Sequence, residues 1–153
     1  QNAIIELVKN CNNIVLDADA IFDFNFKHSN ILLTPHKGEM KRLTASSKPE
    51  DLLEYASKNG VTLLVKGEVD IITDGNLMKE NRSGHPRMTV GGTGDVLAGV
   101  CGAFVAKGLT PFESARLAAY SLGKAGENCY EEIGAGFLPT DLTLSLSKVL
   151  RRN

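Results

Sequence analysis

The chain has no tryptophan and only three cysteines, Cys11, Cys101 and Cys129, far apart and odd in number. No CxxC pair and no Cys/His spacing of a structural zinc site is present, which excludes a metal-stapled mini-domain. A scattered, odd set is not a disulfide framework either, so the expectation is a reducing, cytoplasmic setting. Lys/Arg clusters with interleaved aromatics are absent and the net charge is −1, which argues against nucleic acid or an acidic membrane surface as partner. No apolar run approaches the roughly 20 residues that a bilayer span requires. Internal repeats and low-complexity linkers are also missing. What remains is 153 residues, 42% apolar and 23% charged, enough for one domain with a sizeable core.

The sequence does have glycine in one telling place. Gly91-Gly92-Thr93-Gly94 runs directly into Asp95 and then into an apolar stretch from Val96 to Ala106. Glycines let backbone amides approach an anion without a Cβ in the way, and a helix start adds free N–H groups and the positive end of the dipole. Together they make a phosphate cradle. Asp95 is the oddity, because a carboxylate there repels phosphate unless it takes a proton from an attacking hydroxyl. The plain alternative is a favourable first-turn acid after a tight loop. The stretch from Val96 to Ala106 is apolar on nearly all sides, so a buried helix is expected, with Gly99 and Gly102 allowing close packing.

The rest of the chain reads as alternating elements. Asn2 to Asn10 is a helix with a wide apolar face, and Ile14 to Leu16 a short strand ending in Asp17-Ala-Asp19. Open α/β sheets place their sites at the carboxyl ends of strands; the plain reading for Asp19 is a cap. Ile31 to Leu33 is a second buried strand, followed by Thr34-Pro-His-Lys-Gly-Glu-Met40 and a helix from Glu39 to Leu43. Taken alone, His36 is a satisfied loop histidine and Glu39 a first-turn dipole partner. Ser47-Lys-Pro-Glu50 reads as a capping box opening a helix that Gly60 stops. Val61 to Val65 is a third strand with Lys66 at its end, either reaching a nucleotide phosphate or simply solvated. Val69 to Thr73, Asp74-Gly75-Asn76 and Leu77 to Glu80 make a β-hairpin. Thr110-Pro-Phe-Glu113 is another capping box, for a helix to about Asn128, and Thr140 caps a last amphipathic helix. This order predicts an α/β fold with a largely parallel sheet covered on both faces. Asp17, His36 and Lys66 then gather along one sheet edge, where the loop before Asp95 can join them.

The run Gly84-His-Pro-Arg-Met-Thr-Val-Gly-Gly-Thr-Gly-Asp-Val-Leu-Ala-Gly99 resembles the signature of the ADP- or ATP-dependent NAD(P)H-hydrate dehydratases, members of the ribokinase-like superfamily. Val15-Leu-Asp-Ala-Asp-Ala20, Thr34 to Met40 and Val65-Lys-Gly67 resemble further motifs of that family in the same order. The resemblance implies a ribokinase-like three-layer fold with a mostly parallel sheet, of which residues 1–153 are the C-terminal portion of a single dehydratase domain. Such a portion is expected to leave a sheet edge and apolar surface open, and so to form a homo-oligomer or pair with the N-terminal segment that relatives carry.

The implied activity is repair of hydrated NADH and NADPH, with phosphorylation of the substrate hydroxyl and loss of phosphate. Asp95 is then the general base. Gly92, Thr93 and Gly94 form the anion hole. His36, Asp95 and Asp17 meet the hydrated dinucleotide. Lys66, Gly67, Glu68, Val69 and Asp70, with Gly94, line the nucleotide site for ADP or ATP. Glu39 holds Mg2+ indirectly, through water. Two other readings stand beside this one. A small-molecule kinase of the superfamily would use the same base and anion hole; such kinases typically resemble Pro-Asn where this chain has Pro35-His36. A non-catalytic nucleotide-binding or assembly module would have no need of Asp95.

Overall fold

The computed structural model describes residues 1–23 and 30–151. Five strands form one sheet in sequence order: β1 (Ile14–Leu16), β2 (Ile31–Leu33), β3 (Thr62–Val65), β4 (Asp70–Thr73) and β5 (Met78–Asn81). The pairs β1–β2 and β2–β3 are parallel, whereas β3–β4 and β4–β5 are antiparallel. Only β4 therefore runs against the others. The helices are α1 (Asn2–Asn10), α2 (Lys37–Thr44), α3 (Pro49–Asn59), α4 (Thr93–Ala106), α5 (Pro111–Ile133) and α6 (Pro139–Arg151).

Side chains alternate across a strand, and here both sets are apolar, which makes two cores. Leu32, Leu64 and Ile72 face α4, α5 and α6, packing with Leu97, Cys101, Phe104, Leu122 and Leu142. Leu16, Ile31, Leu33, Leu63 and Val65 face the other way, against Val8 of α1, Met40 of α2, and Leu52 and Ala56 of α3. The expected three layers follow from the central strands β2 and β3, which are buried on both faces.

Several local expectations are corrected. Ser47 does not open α3: Lys48 holds the cap position without a side-chain bond and Pro49 is the first helical residue. Ser46 ties the approach instead, donating to Asp51 and accepting from the Lys48 N–H. Thr140 lies inside α6, where Asp141 accepts from the Leu138 N–H at 2.8 Å. The helix α2 begins two residues early, at Lys37, and α5 runs on to Ile133. The box at Thr110 and Glu113 forms as expected, and Gly60 ends α3 at φ 63°.

The largest correction concerns α4. Its buried residues are Leu97, Cys101, Phe104 and Val105, while Gly99, Ala103 and Ala106 are exposed. One side packs on β1, α5 and α6, and no described element covers the other. A Cβ on Gly99 or Gly102 meets nothing within 4 Å, so neither glycine serves close packing. The tight glycines are elsewhere. Gly75, in the β4–β5 turn, has φ 88°, and a Cβ there falls onto the backbone of Ser57 in α3.

Gly75→Ala is therefore expected to destabilise the fold by about 1–3 kcal/mol, from a strained φ together with overpacking. Gly99→Ala should be neutral or stabilise by up to about 1 kcal/mol through helix propensity. Denaturant unfolding of the two variants checks both, and equal losses would contradict this placement.

Candidate active site

The carboxyl ends of β1, β2 and β3 lie side by side, and each carries a polar residue immediately beyond the strand. Asp17 follows β1. Its Oδ1 accepts from the hydroxyl of Thr34, just after β2, at 2.8 Å, and from Nζ of Lys66, just after β3, at 2.6 Å. The pair is largely buried, with Asp17 16% and Lys66 21% exposed at the side chain. Asp17 occupies the start of a 3₁₀ turn (Ala18–Ala20) but its side chain does not cap it. Asp19 sits exposed within that turn, not at its start.

His36 lies beyond β2, where a bridge to Lys66 extends the parallel pairing. Its Nδ1 accepts from the N–H groups of Gly38 and Glu39 at 2.9 and 3.1 Å, so it caps α2. Glu39 Oε2 accepts from the His36 N–H at 2.7 Å, and Oε1 lies 3.5 Å from His36 Nε2. Both residues thus have the structural roles that local reading assigned them. With Nδ1 accepting, the imidazole carries its proton on Nε2, which makes it a donor to any ligand above α2.

After Lys66 the chain turns tightly. The Gly67 N–H donates to Asp70 Oδ1 and Asn81 Nδ2 to Asp70 Oδ2, both at 3.0 Å. Burial raises the Asp70 carboxyl above its ordinary range, and these bonds with Lys66 and Lys37 offset that only in part. Both Asp70 oxygens are thus engaged in shaping the turn.

The glycine turn enters α4 earlier than expected. Gly92 is the cap at φ 98°, so Thr93, Gly94 and Asp95 form the first helical turn. The Thr93 N–H already donates to the Val90 carbonyl at 3.3 Å. The N–H groups of Gly92 and Gly94 find no acceptor among the described residues. The Thr93 hydroxyl oxygen is buried and has no partner there. Asp95 is exposed, without an ion pair among the described residues. The turn adjoins the strand ends: a Cβ on Gly94 would lie 3.5 Å from Lys66 Nζ and 3.7 Å from Asp17 Oδ2. Behind it, burial above all, with the Asp17 charge adding, pushes the Cys101 thiol up to about 12. That cysteine is a neutral core residue and no nucleophile.

A cleft of about 1000 Å³ opens over this junction, with His36, Lys66 to Asp70, Thr93 and Gly94 among its lining residues. Its other wall is the loop from Arg82 to Val90, together with Leu122 and Gly123 of α5. A second cleft of about 530 Å³, between β5 and α5, contains none of the strand-end residues.

Sequence reading missed how that wall is held. The Gly84 N–H donates to Glu127 Oε1 at 2.9 Å, Arg87 Nε to the Ala135 carbonyl at 2.8 Å, and His85 stacks on Tyr130 at 3.7 Å. Burial works against Glu127, but bonds from Lys124 and Gly84 hold its carboxyl below the usual range. The loop lies so close to α5 that a Cβ on Gly123 would meet the Ser83 carbonyl at 2.7 Å, and one on Gly126 would meet Met88. The pair Gly123 and Gly126, three apart on one helix face, is the signal that could have located this contact.

His36→Ala should cost about 1 kcal/mol through loss of the cap, whereas His36→Asn should keep it; denaturant unfolding reads the difference. Gly123→Ala should push the loop off α5 and speed hydrogen exchange at the Gly84 amide. Unchanged exchange there would contradict the close approach.

A family model described as NAD(P)H-hydrate dehydratase matches residues 1–148. A bifunctional NAD(P)H-hydrate repair enzyme of Archaeoglobus fulgidus is 40% identical over 152 residues, covering 99% of this chain and 32% of that protein. An ADP-dependent (S)-NAD(P)H-hydrate dehydratase of Cenarchaeum symbiosum is 41% identical over 160 residues, covering 97% of this chain and 55% of that protein. The chain thus spans 32% and 55% of the length of these relatives. The ADP/ATP-dependent NAD(P)H-hydrate dehydratase of Bacillus subtilis, co-crystallised with ATP and Mg2+, superposes with a TM-score of 0.88 at 25% identity, covering 97% of this chain and 58% of that one. With residues 1–148 matched to the family model and the sheet packed between two layers of helices, the chain belongs to the NAD(P)H-hydrate dehydratase family, within the ribokinase-like fold.

Proposed function

We propose that this chain carries the phosphoryl-transfer site of an enzyme that uses ADP or ATP to return hydrated NADH and NADPH to NADH and NADPH. The observation that carries the reading is the meeting of Asp17 and Lys66 with Gly94, one residue before the exposed Asp95. Lys66 brings positive charge to the mouth of a helix where the Gly92 and Gly94 N–H groups find no acceptor among the described residues, which suits an anion in transfer. Asp95, on the same turn, takes the proton of the substrate hydroxyl. The hydroxyl oxygen attacks the terminal phosphorus of the nucleotide, and the bond to the bridging oxygen breaks. The C–O bond to the phosphorylated carbon then cleaves, inorganic phosphate leaves with that oxygen, and the adjacent carbon gives up a proton to water as the ring double bond forms. Water is a poor leaving group from such a carbon and phosphate a better one, which is why the nucleotide is consumed.

The nucleotide lies along the turn from Lys66 to Asp70, where Gly67, Glu68 and Val69 face the cleft and Asp70 holds the turn in shape. His36 offers Nε2–H to the hydrated dinucleotide. Among the anion-hole residues, Gly92 and Gly94 supply the free amides, and Thr93 contributes its unpartnered hydroxyl in place of its engaged N–H. Among the described residues no three His, Cys, Asp or Glu side chains converge on a metal position. That fits Mg2+, which takes one or two carboxylates plus phosphates and water. When bound, Mg2+ would neutralise phosphate charge; Glu39, with both oxygens facing His36, would hold it through water. No helix among the described residues is long and apolar enough to cross a membrane, and three free cysteines suit the cytoplasm. Among the described residues the edge at β1 is unpaired and one face of α4 is open, which supports association with a second copy or with further chain.

The test uses the full-length protein with hydrated NADH, Mg2+ and ADP or ATP. Recovery of reduced-nicotinamide absorbance is expected; no recovery, with phosphorylation of a vitamin precursor instead, would overturn the reading. Asp95→Asn should lower turnover by roughly 10²–10⁴-fold while nucleotide affinity is kept. Unchanged turnover with weakened nucleotide binding would remove Asp95 from its role as base.

A further inference from the structure

Lys66 and Asp17 do not lie on neighbouring strands. β2 separates β1 from β3, and strands lie about 4.8 Å apart, so the Lys66 side chain crosses the end of β2 to reach Asp17. Thr34 stands on that crossing. It is fully buried, and its hydroxyl lies 2.8 Å from Asp17 Oδ1 and 3.3 Å from the Leu16 carbonyl. A hydroxyl has one proton, and the shorter contact to a carboxylate is the stronger bond. The same Oδ1 takes Lys66 Nζ at 2.6 Å. Backbone bonds fix the three ends as one unit, from the Thr34 N–H to the Leu16 carbonyl and from the Lys66 N–H to the Pro35 carbonyl. The result is a chain of contacts, Thr34 to Asp17 to Lys66, whose last atom faces Gly94.

We infer that Thr34 is a positioning residue: its hydroxyl fixes the Asp17 carboxylate, which holds the Lys66 ammonium beside the glycine turn, where the transferring phosphoryl group is stabilised. Lysine has four side-chain torsions and a strongly hydrated head. Without a fixed acceptor its amine returns to solvent and must be reordered for each turnover. Asp17 supplies the acceptor, and Thr34 removes the freedom of Asp17. The amine is thus in place before the phosphate arrives, which is what preorganised stabilisation requires. Thr34 touches neither substrate nor nucleotide in this role. The catalytic part of the inference rests on the dehydratase reading above; the positioning of Lys66 does not.

The test has two readouts on the full-length protein. The first needs no turnover: Lys66 is labelled with acetic anhydride and its modification rate followed by mass spectrometry. Thr34→Val keeps the shape of threonine and removes the hydroxyl; it should speed labelling several-fold, while Thr34→Ser stays near the wild-type rate. Thr34→Ala, which lacks the hydroxyl as well, should also speed labelling, and decides the matter if the valine variant does not fold. The second readout is kinetic. Loss of one charge-assisted bond should lower kcat about tenfold in Thr34→Val, with the Kd for ADP within about twofold and activity restored in Thr34→Ser. Unchanged Lys66 labelling in Thr34→Val and Thr34→Ala overturns the positioning chain. Faster labelling with unchanged kcat overturns its catalytic use. If the wild type shows no turnover, the dehydratase reading fails, and the labelling still decides whether Thr34 positions Lys66.

Discussion

The ion pair between Asp17 and Lys66 ties together everything that surrounds it. It links the first and third strands across the second, in a place where both side chains are mostly out of water. A buried charge left without its partner costs several kcal/mol, so neither residue is tolerable alone there. The pair also explains why the glycine turn sits where it does. Gly94 presents bare backbone to the amine and the carboxylate, where a Cβ would lie 3.5 Å from Lys66 Nζ and 3.7 Å from Asp17 Oδ2. The ribokinase-like sheet supplies the setting, since parallel strands bring their polar ends to one edge.

The two walls of the cleft are held by different means. On the strand side the restraint is polar: His36 and Glu39 close a reciprocal cap, and Asp70 binds the Gly67 and Asn81 N–H groups. On the helix side it is close approach, with Ser83 and Met88 resting on Gly123 and Gly126 and His85 stacked on Tyr130. His36 does both, capping α2 through Nδ1 while it also lines the cleft. Asp70 differs, because its oxygens are spent on the turn that Gly67 to Val69 present to the cleft.

Much of this was legible in the chain. Three strands were marked by short apolar runs, and the hairpin of β4 and β5 by Asp74-Gly75-Asn76. Asp17, His36 and Lys66, following Leu16, Leu33 and Val65, told where the site would gather, because strand direction carries that information. The parts that were not legible depend on tertiary neighbours. The uniform hydrophobicity of α4 predicts burial on every side, yet burial depends on what lies opposite, and Gly99 and Ala103 face no described element. The capping motif at Ser47 lost to Ser46, whose hydroxyl reaches Asp51 from outside the helix. Thr34 looked like a mere strand-end residue, since its meaning arises only when Lys66, thirty-two positions later, crosses above it.

The central claim is that the three strand ends and the glycine turn make one anion site. Amide chemical shifts of the isotope-labelled full-length protein, followed while Mg2+ and ADP are added, test it most directly. The account predicts that the amides of Thr34, Lys66, Gly67, Gly92 and Gly94 shift together with one apparent Kd. Shifts confined to the cleft between β5 and α5, around Lys79, Glu113 and Arg116, with the glycine turn silent, would contradict it.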